Sequence, residues 1–98
     1  ALHRFNIGKP AGWLCQGWVE QLQGNPAKAI KLWQKGLNAA ANLKTPYEEG
    51  WLHYQLGRHL PTTDPARQHH LQQAQAIFTR LKTGYELSLV RQLLGENS

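Results

Sequence analysis

The sequence has no methionine, one cysteine, two phenylalanines and only six acidic residues. A lone thiol, Cys15, can build neither an intramolecular disulfide framework nor a paired-cysteine metal site, which points to a reducing compartment, the cytoplasm. The missing methionine raises the expectation that the chain belongs to a longer polypeptide. No apolar run approaches the roughly 20 residues that span a bilayer, and no charged-then-apolar leader opens the chain. A soluble protein with no membrane partner is therefore expected. Its 98 residues suit one domain, large enough for a continuous helical core but with little room for a deep enzyme cleft.

The scarcity of acids also limits catalysis. With Glu48 and Glu49 at a helix start, no convincing general acid/base pair remains. Cys15 falls mid-helix among Trp13, Leu14 and Trp18, away from any helix N-terminus that would lower its pKa, and reads as a buried, inert thiol. Among the five histidines, His69 and His70 are adjacent and diverge by about 100° on a helix. No H-x-x-x-H pair puts two imidazoles on one face, so no metal site is expected. His70 reads as half-buried on a packing stripe, and His53 and His59 as ordinary helix members. The nine glycines sit at turns and packing positions rather than in a phosphate-cradling loop. The chain reads as a protein without cofactor, metal or catalytic residue.

What is present is repetition. Leu43-Lys44-Thr45-Pro46-Tyr47-Glu48 returns 38 residues later as Leu81-Lys82-Thr83-Gly84-Tyr85-Glu86, and Asn25-Pro26-Ala27-Lys28 is echoed by Asp64-Pro65-Ala66-Arg67 at a spacing of 39. Periods of this length belong to stacked supersecondary units. Proline and capping signals divide the chain into helices: Pro10 to Leu22, Asn25-Pro26 to about Leu43, and a third closing near His59 or Leu60 before Pro61. Asp64-Pro65 opens a fourth, and a fifth ends near Leu94-Gly95. Thr45-x-x-Glu48 and Thr83-x-x-Glu86 read as capping boxes, and Asn25 and Asp64 as N-caps. No segment alternates with a period of two for long enough to argue a strand, so the class is all-α.

The second helix predicts its own packing. Ile30, Trp33, Leu37 and Ala41 form one stripe and Ala29, Leu32, Gly36, Ala40 and Leu43 a second, so it faces two neighbours and leaves Lys28, Lys31, Lys35, Asn38 and Asn42 to water. In the fourth helix Ala66, His70, Leu71, Ala74, Ile77, Phe78 and Leu81 read as buried. Phe5 to Gly8 align with Leu43 to Pro46, which makes residues 1–9 the tail of a preceding helix. The domain 1–98 thus divides into that tail, a first repeat at 10–44, a second at 45–82 and a leading helix at 83–95, with apolar surface exposed at both ends for self-association.

These residues resemble the tetratricopeptide repeat, whose pattern runs Trp, Leu-Gly and Tyr along one helix, then Ala and Phe along the next. Trp13, Gly17, Gly24, Ala29 and Trp33 follow it in the first repeat, with Gln16 where Leu is usual, and Leu56, Gly57, Ala74 and Phe78 follow it in the second. The period is longer than the family's usual one, and Pro61 to Asp64 lengthen a loop. The resemblance covers about residues 10–95 and implies a right-handed superhelix of αα-hairpins, here two full hairpins plus one extra helix. The longer period, with Pro46-Tyr47-Glu48-Glu49-Gly50 and Leu56-Gly57-Arg58-His59-Leu60, also resembles the repeat region of large signalling proteins in which a nucleotide-binding ATPase module precedes helical repeats. Some of those carry a nucleotidyl cyclase or protein kinase domain, so this resemblance implies a regulatory or scaffolding segment.

In repeats of this type the first helix of each hairpin lines a concave groove. A helical projection assigns to that groove Leu14, Trp18 and Gln21, then Tyr54 and Arg58, then Gln92. An aromatic pair beside an arginine suits a peptide with an apolar anchor and a carboxylate. Protein or peptide binding, including by other domains of the parent chain, is the leading expectation. Two others stand beside it: nucleic-acid binding through Lys28, Lys31, Lys35, Arg58 and Arg67, and small-ligand sensing between Trp18 and Tyr54. Trp33 reads as core, and Trp13 and Trp51, which share the triplet Gly-Trp-Leu, as structural.

Overall fold

The computed structural model describes residues 9–95, which form five helices and no strand. They are α1 (Pro10–Leu22), α2 (Pro26–Leu43), α3 (Pro46–His59), α4 (Pro65–Leu81) and α5 (Gly84–Leu94). The all-α class is therefore as the sequence predicts. Four of the five open on a proline, which supplies the helical φ and gives up an N–H that the first turn leaves unbonded in any case. The expected helical tail falls mainly on residues 1–8, outside the described residues.

The helix starts are held differently from the sequence reading. Only Asp64 acts as expected, its Oδ1 accepting from the Ala66 N–H at 2.9 Å. Neither capping box forms. Thr45 stands at the N-cap of α3 without a side-chain cap bond, its hydroxyl buried and unpartnered. Thr83 turns its hydroxyl back to donate to the Phe78 carbonyl at 3.4 Å, while the Glu86 carboxylate accepts from the Tyr47 hydroxyl. Asn25 also makes no cap bond; its amide nitrogen donates to Glu20 Oε1 at 2.9 Å. The Glu86 carboxylate is thus engaged by a long-range partner, and the Thr83 hydroxyl by a cross-turn one.

α1 packs on α2 and α3 on α4, α2 also meets α3, and α4 meets α5. The core divides accordingly. Ala29, Trp33, Ala40, Leu52 and Leu56 form one cluster, with Leu14, Ile30, Leu37 and Leu60 packed against it. Tyr54, Ala74, Ile77, Phe78 and Val90 form the other. α3 contributes to both and is buried without interruption from Leu52 to Gly57. The two-faced reading of α2 holds: Ala29, Trp33, Gly36 and Ala40 are buried while Lys28, Lys31, Lys35, Asn38 and Asn42 are exposed, although Ala41 and Leu43 emerge at the surface.

Trp33 is fully buried, and its indole N–H donates to the Leu14 carbonyl at 3.2 Å. The ring lies in the space that a Cβ on Gly17 would occupy, and Leu71 lies likewise against Gly57. Glycine in the first helix of each pair therefore lets a large side chain of the second helix seat against its backbone, which offsets about 1 kcal/mol of lost helix propensity. Both helices that precede a repeat joint end alike, on Lys44 (φ 55°) and Lys82 (φ 60°) in the left-handed region. A lysine pays strain there, and its charge favours the carbonyl end of the helix.

Candidate functional site

The six residues that the sequence assigns to a groove separate into two groups. Trp18, Arg58 and Gln92 are exposed on α1, α3 and α5, and Arg58 has no ion-pair partner among the described residues. Leu14 is half-buried against the first core cluster, Tyr54 is only 7% exposed within the second, and Gln21 is half-buried with its Oε1 enclosed and unpartnered. The Tyr54 ring meets Trp51 edge-on at 5.5 Å rather than turning to Trp18. Three of the six thus present side chains to solvent, and Leu14 and Tyr54 spend most of theirs on packing.

The helices that carry these residues are neighbours. α1 contacts α3 directly, and α3 is joined to α5 by the Tyr47 hydroxyl donating to Glu86 Oε2 at 2.6 Å. That bond, with the carboxylate charge behind it, holds the Tyr47 phenol above its usual pKa. Tyr47 belongs to the first copy of the repeated joint and Glu86 to the second, so one joint is bonded to the next.

An aromatic network centres on Trp51, and the sequence reading missed it as a unit. Trp51 packs edge-on against Tyr47, Tyr54 and Phe78 at 6.3, 5.5 and 5.8 Å. Trp13 has a different surround: its Cβ faces Gly36, and the Lys35 ammonium stands 5.6 Å above its ring. Trp51 was read as structural, but its meeting with Phe78 depends on how α4 docks.

Comparison with protein families, curated proteins and solved structures finds no match.

Cys15 corrects an expectation. It is exposed, because α1 turns Cys15, Trp18, Val19 and Leu22 away from α2. Val19 and Leu22 are 43% and 78% exposed, so this side of α1 is an apolar strip. The basic residues do not act as one free set either: Lys28 lies 3.5 Å from Glu20, Lys35 covers Trp13, and Arg67 is half-buried with an enclosed Nε. No group of three or more His, Cys, Asp or Glu side chains among the described residues is arranged to hold a metal ion. No described helix is long and apolar enough to cross a membrane.

His59 and His53 are also less ordinary than expected. His59 stacks on Trp33 at 5.1 Å with planes 28° apart, and burial, then Arg58, pushes its pKa down. His53 is buried, and its Nδ1 lies 2.9 Å from Nδ1 of His70.

Proposed function

We propose that the chain is a tetratricopeptide-like segment, two helical hairpins at 10–44 and 45–82 with a leading helix at 83–95 continuing a right-handed superhelix, and that it binds a protein or peptide without catalysis. The partner is a separate polypeptide or another domain of the parent chain, in the cytoplasm, and the segment serves regulation or scaffolding in a larger signalling protein. The observation that supports this reading most is the bond between successive joints, Tyr47 to Glu86. A repeat whose copies are stitched at equivalent positions presents its first helices side by side, and a side-by-side row is a binding surface.

On that surface Trp18 supplies an apolar anchor, Arg58 a free guanidinium and Gln92 an amide. An arginine without an internal carboxylate partner favours an acidic group on the ligand, which it can grip with two parallel N–H bonds. A peptide with a bulky apolar residue and a free carboxylate meets both requirements.

Selection from a random peptide library displayed with free C-termini tests the proposal. Selected peptides should carry an apolar residue and an acidic group, and should lose at least about tenfold in affinity with Trp18→Ala and with Arg58→Glu, about 1.4 kcal/mol for each. Peptides that bind both variants as tightly as the unaltered chain would place recognition elsewhere. An oligonucleotide that binds instead, with affinity falling steeply as salt is added, would favour the basic residues as a nucleic-acid surface.

A further inference from the structure

His53 and His70 meet across the α3–α4 seam, Nδ1 to Nδ1, at 2.9 Å. A hydrogen bond at this distance requires one nitrogen to carry a proton and the other to offer a lone pair. Glu49, one turn before His53 on α3, places Oε2 3.8 Å from Nε2 of His53. The carboxylate favours a proton on that nitrogen, so neutral His53 is the Nε2–H tautomer and its Nδ1 is the acceptor. His70 then donates from Nδ1–H, which leaves its own Nε2 lone pair unused in the bond.

The two protons that acid would add are therefore unequal. The first enters at His70 Nε2 and leaves the bond intact, as imidazolium donating to imidazole. The second can enter only at His53 Nδ1, the acceptor itself. Two N–H groups and two positive charges would then face each other at 2.9 Å inside a seam where His53 is 6% exposed. The rings must separate, and α3 must part from α4 where they separate.

We infer that the His53–His70 pair is a proton-operated latch on the second hairpin, closed while His53 is neutral and released when His53 takes up a proton. Other charged groups at the pair are few. On α4, His69 opposes further positive charge on both rings, and Asp64 favours it on His70. Glu49 on α3 favours it on His53, at a distance too long for a hydrogen bond. The lysines of α2 lie on its exposed strip, and Glu86 of α5 is engaged by Tyr47. Burial, ahead of the neighbouring imidazoles, lowers the His53 pKa to about 4 and lowers that of His70 as well.

The direction of the effect follows. Both folded-state values lie below the ordinary histidine value near 6.5, so the unfolded chain binds more protons between those limits, and stability falls as pH is lowered from about 6.5 towards 4. For His53 alone the loss in the folding equilibrium constant is on the order of a hundredfold.

The test compares urea unfolding of the full chain at pH 7.5 and pH 4, without and with EDTA, for the unaltered protein, His53→Gln and His70→Gln. Carboxylates away from the pair act equally on all three, so the difference between proteins isolates the pair together with Glu49 and Asp64, the two carboxylates that act on its rings. The latch requires His53→Gln to lose at least tenfold less of its folding constant on acidification than the unaltered chain. It also requires the His53 ring resonance, followed by NMR, to titrate at higher pH in His70→Gln, where the facing imidazole is gone. Parallel acid profiles for the unaltered chain and His53→Gln would overturn the proposal, as would an unmoved His53 midpoint in His70→Gln. A pH response that disappears on adding EDTA would also overturn it, because a bound cation rather than a proton would then be responsible.

Discussion

Gly17 shows what a single residue decides. A Cβ there would enter the ring space of Trp33, which is fully buried and hydrogen-bonded to the Leu14 carbonyl, so the indole cannot step aside without losing both packing and its N–H partner. Gly17→Ala should raise local helix propensity and yet destabilise the chain, by about 1–3 kcal/mol as overpacked cores do. Urea denaturation reads this directly; an alanine variant as stable as the parent would mean the seam yields. The role of this glycine was legible from the repeat pattern. The His53–His70 contact was not, since it joins residues 17 apart on separate helices and no spacing rule along one helix reports it.

At the scale of the element, helix starts separate what local sequence specifies from what the fold reassigns. Asp64 caps α4, so Asp64→Ala should cost about 1 kcal/mol. Thr45 occupies the same kind of position on α3 with a hydroxyl that bonds to nothing. Thr45→Val should therefore be neutral within about 0.5 kcal/mol or stabilising, because it replaces an enclosed unpaired hydroxyl with a methyl group. Matched losses of thermal stability in the two variants would restore the capping-box reading. The sequence placed four of the helices by prolines that act within a few residues, and opened the fifth with a Thr83–Glu86 capping box that does not form although the helix does. It misjudged Thr83, Glu86 and Asn25, whose polar groups found partners at Phe78, Tyr47 and Glu20.

The whole molecule turns on α3, which contributes Leu52 and Leu56 to one core cluster and Tyr54 to the other. Neither cluster can be lost without exposing the helix the other depends on. Unfolding is accordingly expected as one transition, with tryptophan fluorescence and far-UV circular dichroism tracing coincident curves. Two separated midpoints would mean that the hairpins unfold independently. Of the six residues assigned to a groove, the exposure of three was legible in the sequence. Trp18, Arg58 and Gln92 reach solvent as the helical projection expected, but Tyr54 went into the core because Trp51, Phe78 and Val90 converge on its side of α3.

The sequence by itself determined the helices, their order, the repeated joint and the two-faced packing of α2, because these depend on backbone restrictions and on apolar spacing within one element. Only the tertiary structure decided which polar groups meet across elements: Tyr47 with Glu86, His53 with His70, and the exposure of Cys15. The physical reason is range. A proline acts on its own turn, whereas a hydrogen bond between helices exists only after packing has brought its two ends within about 3 Å.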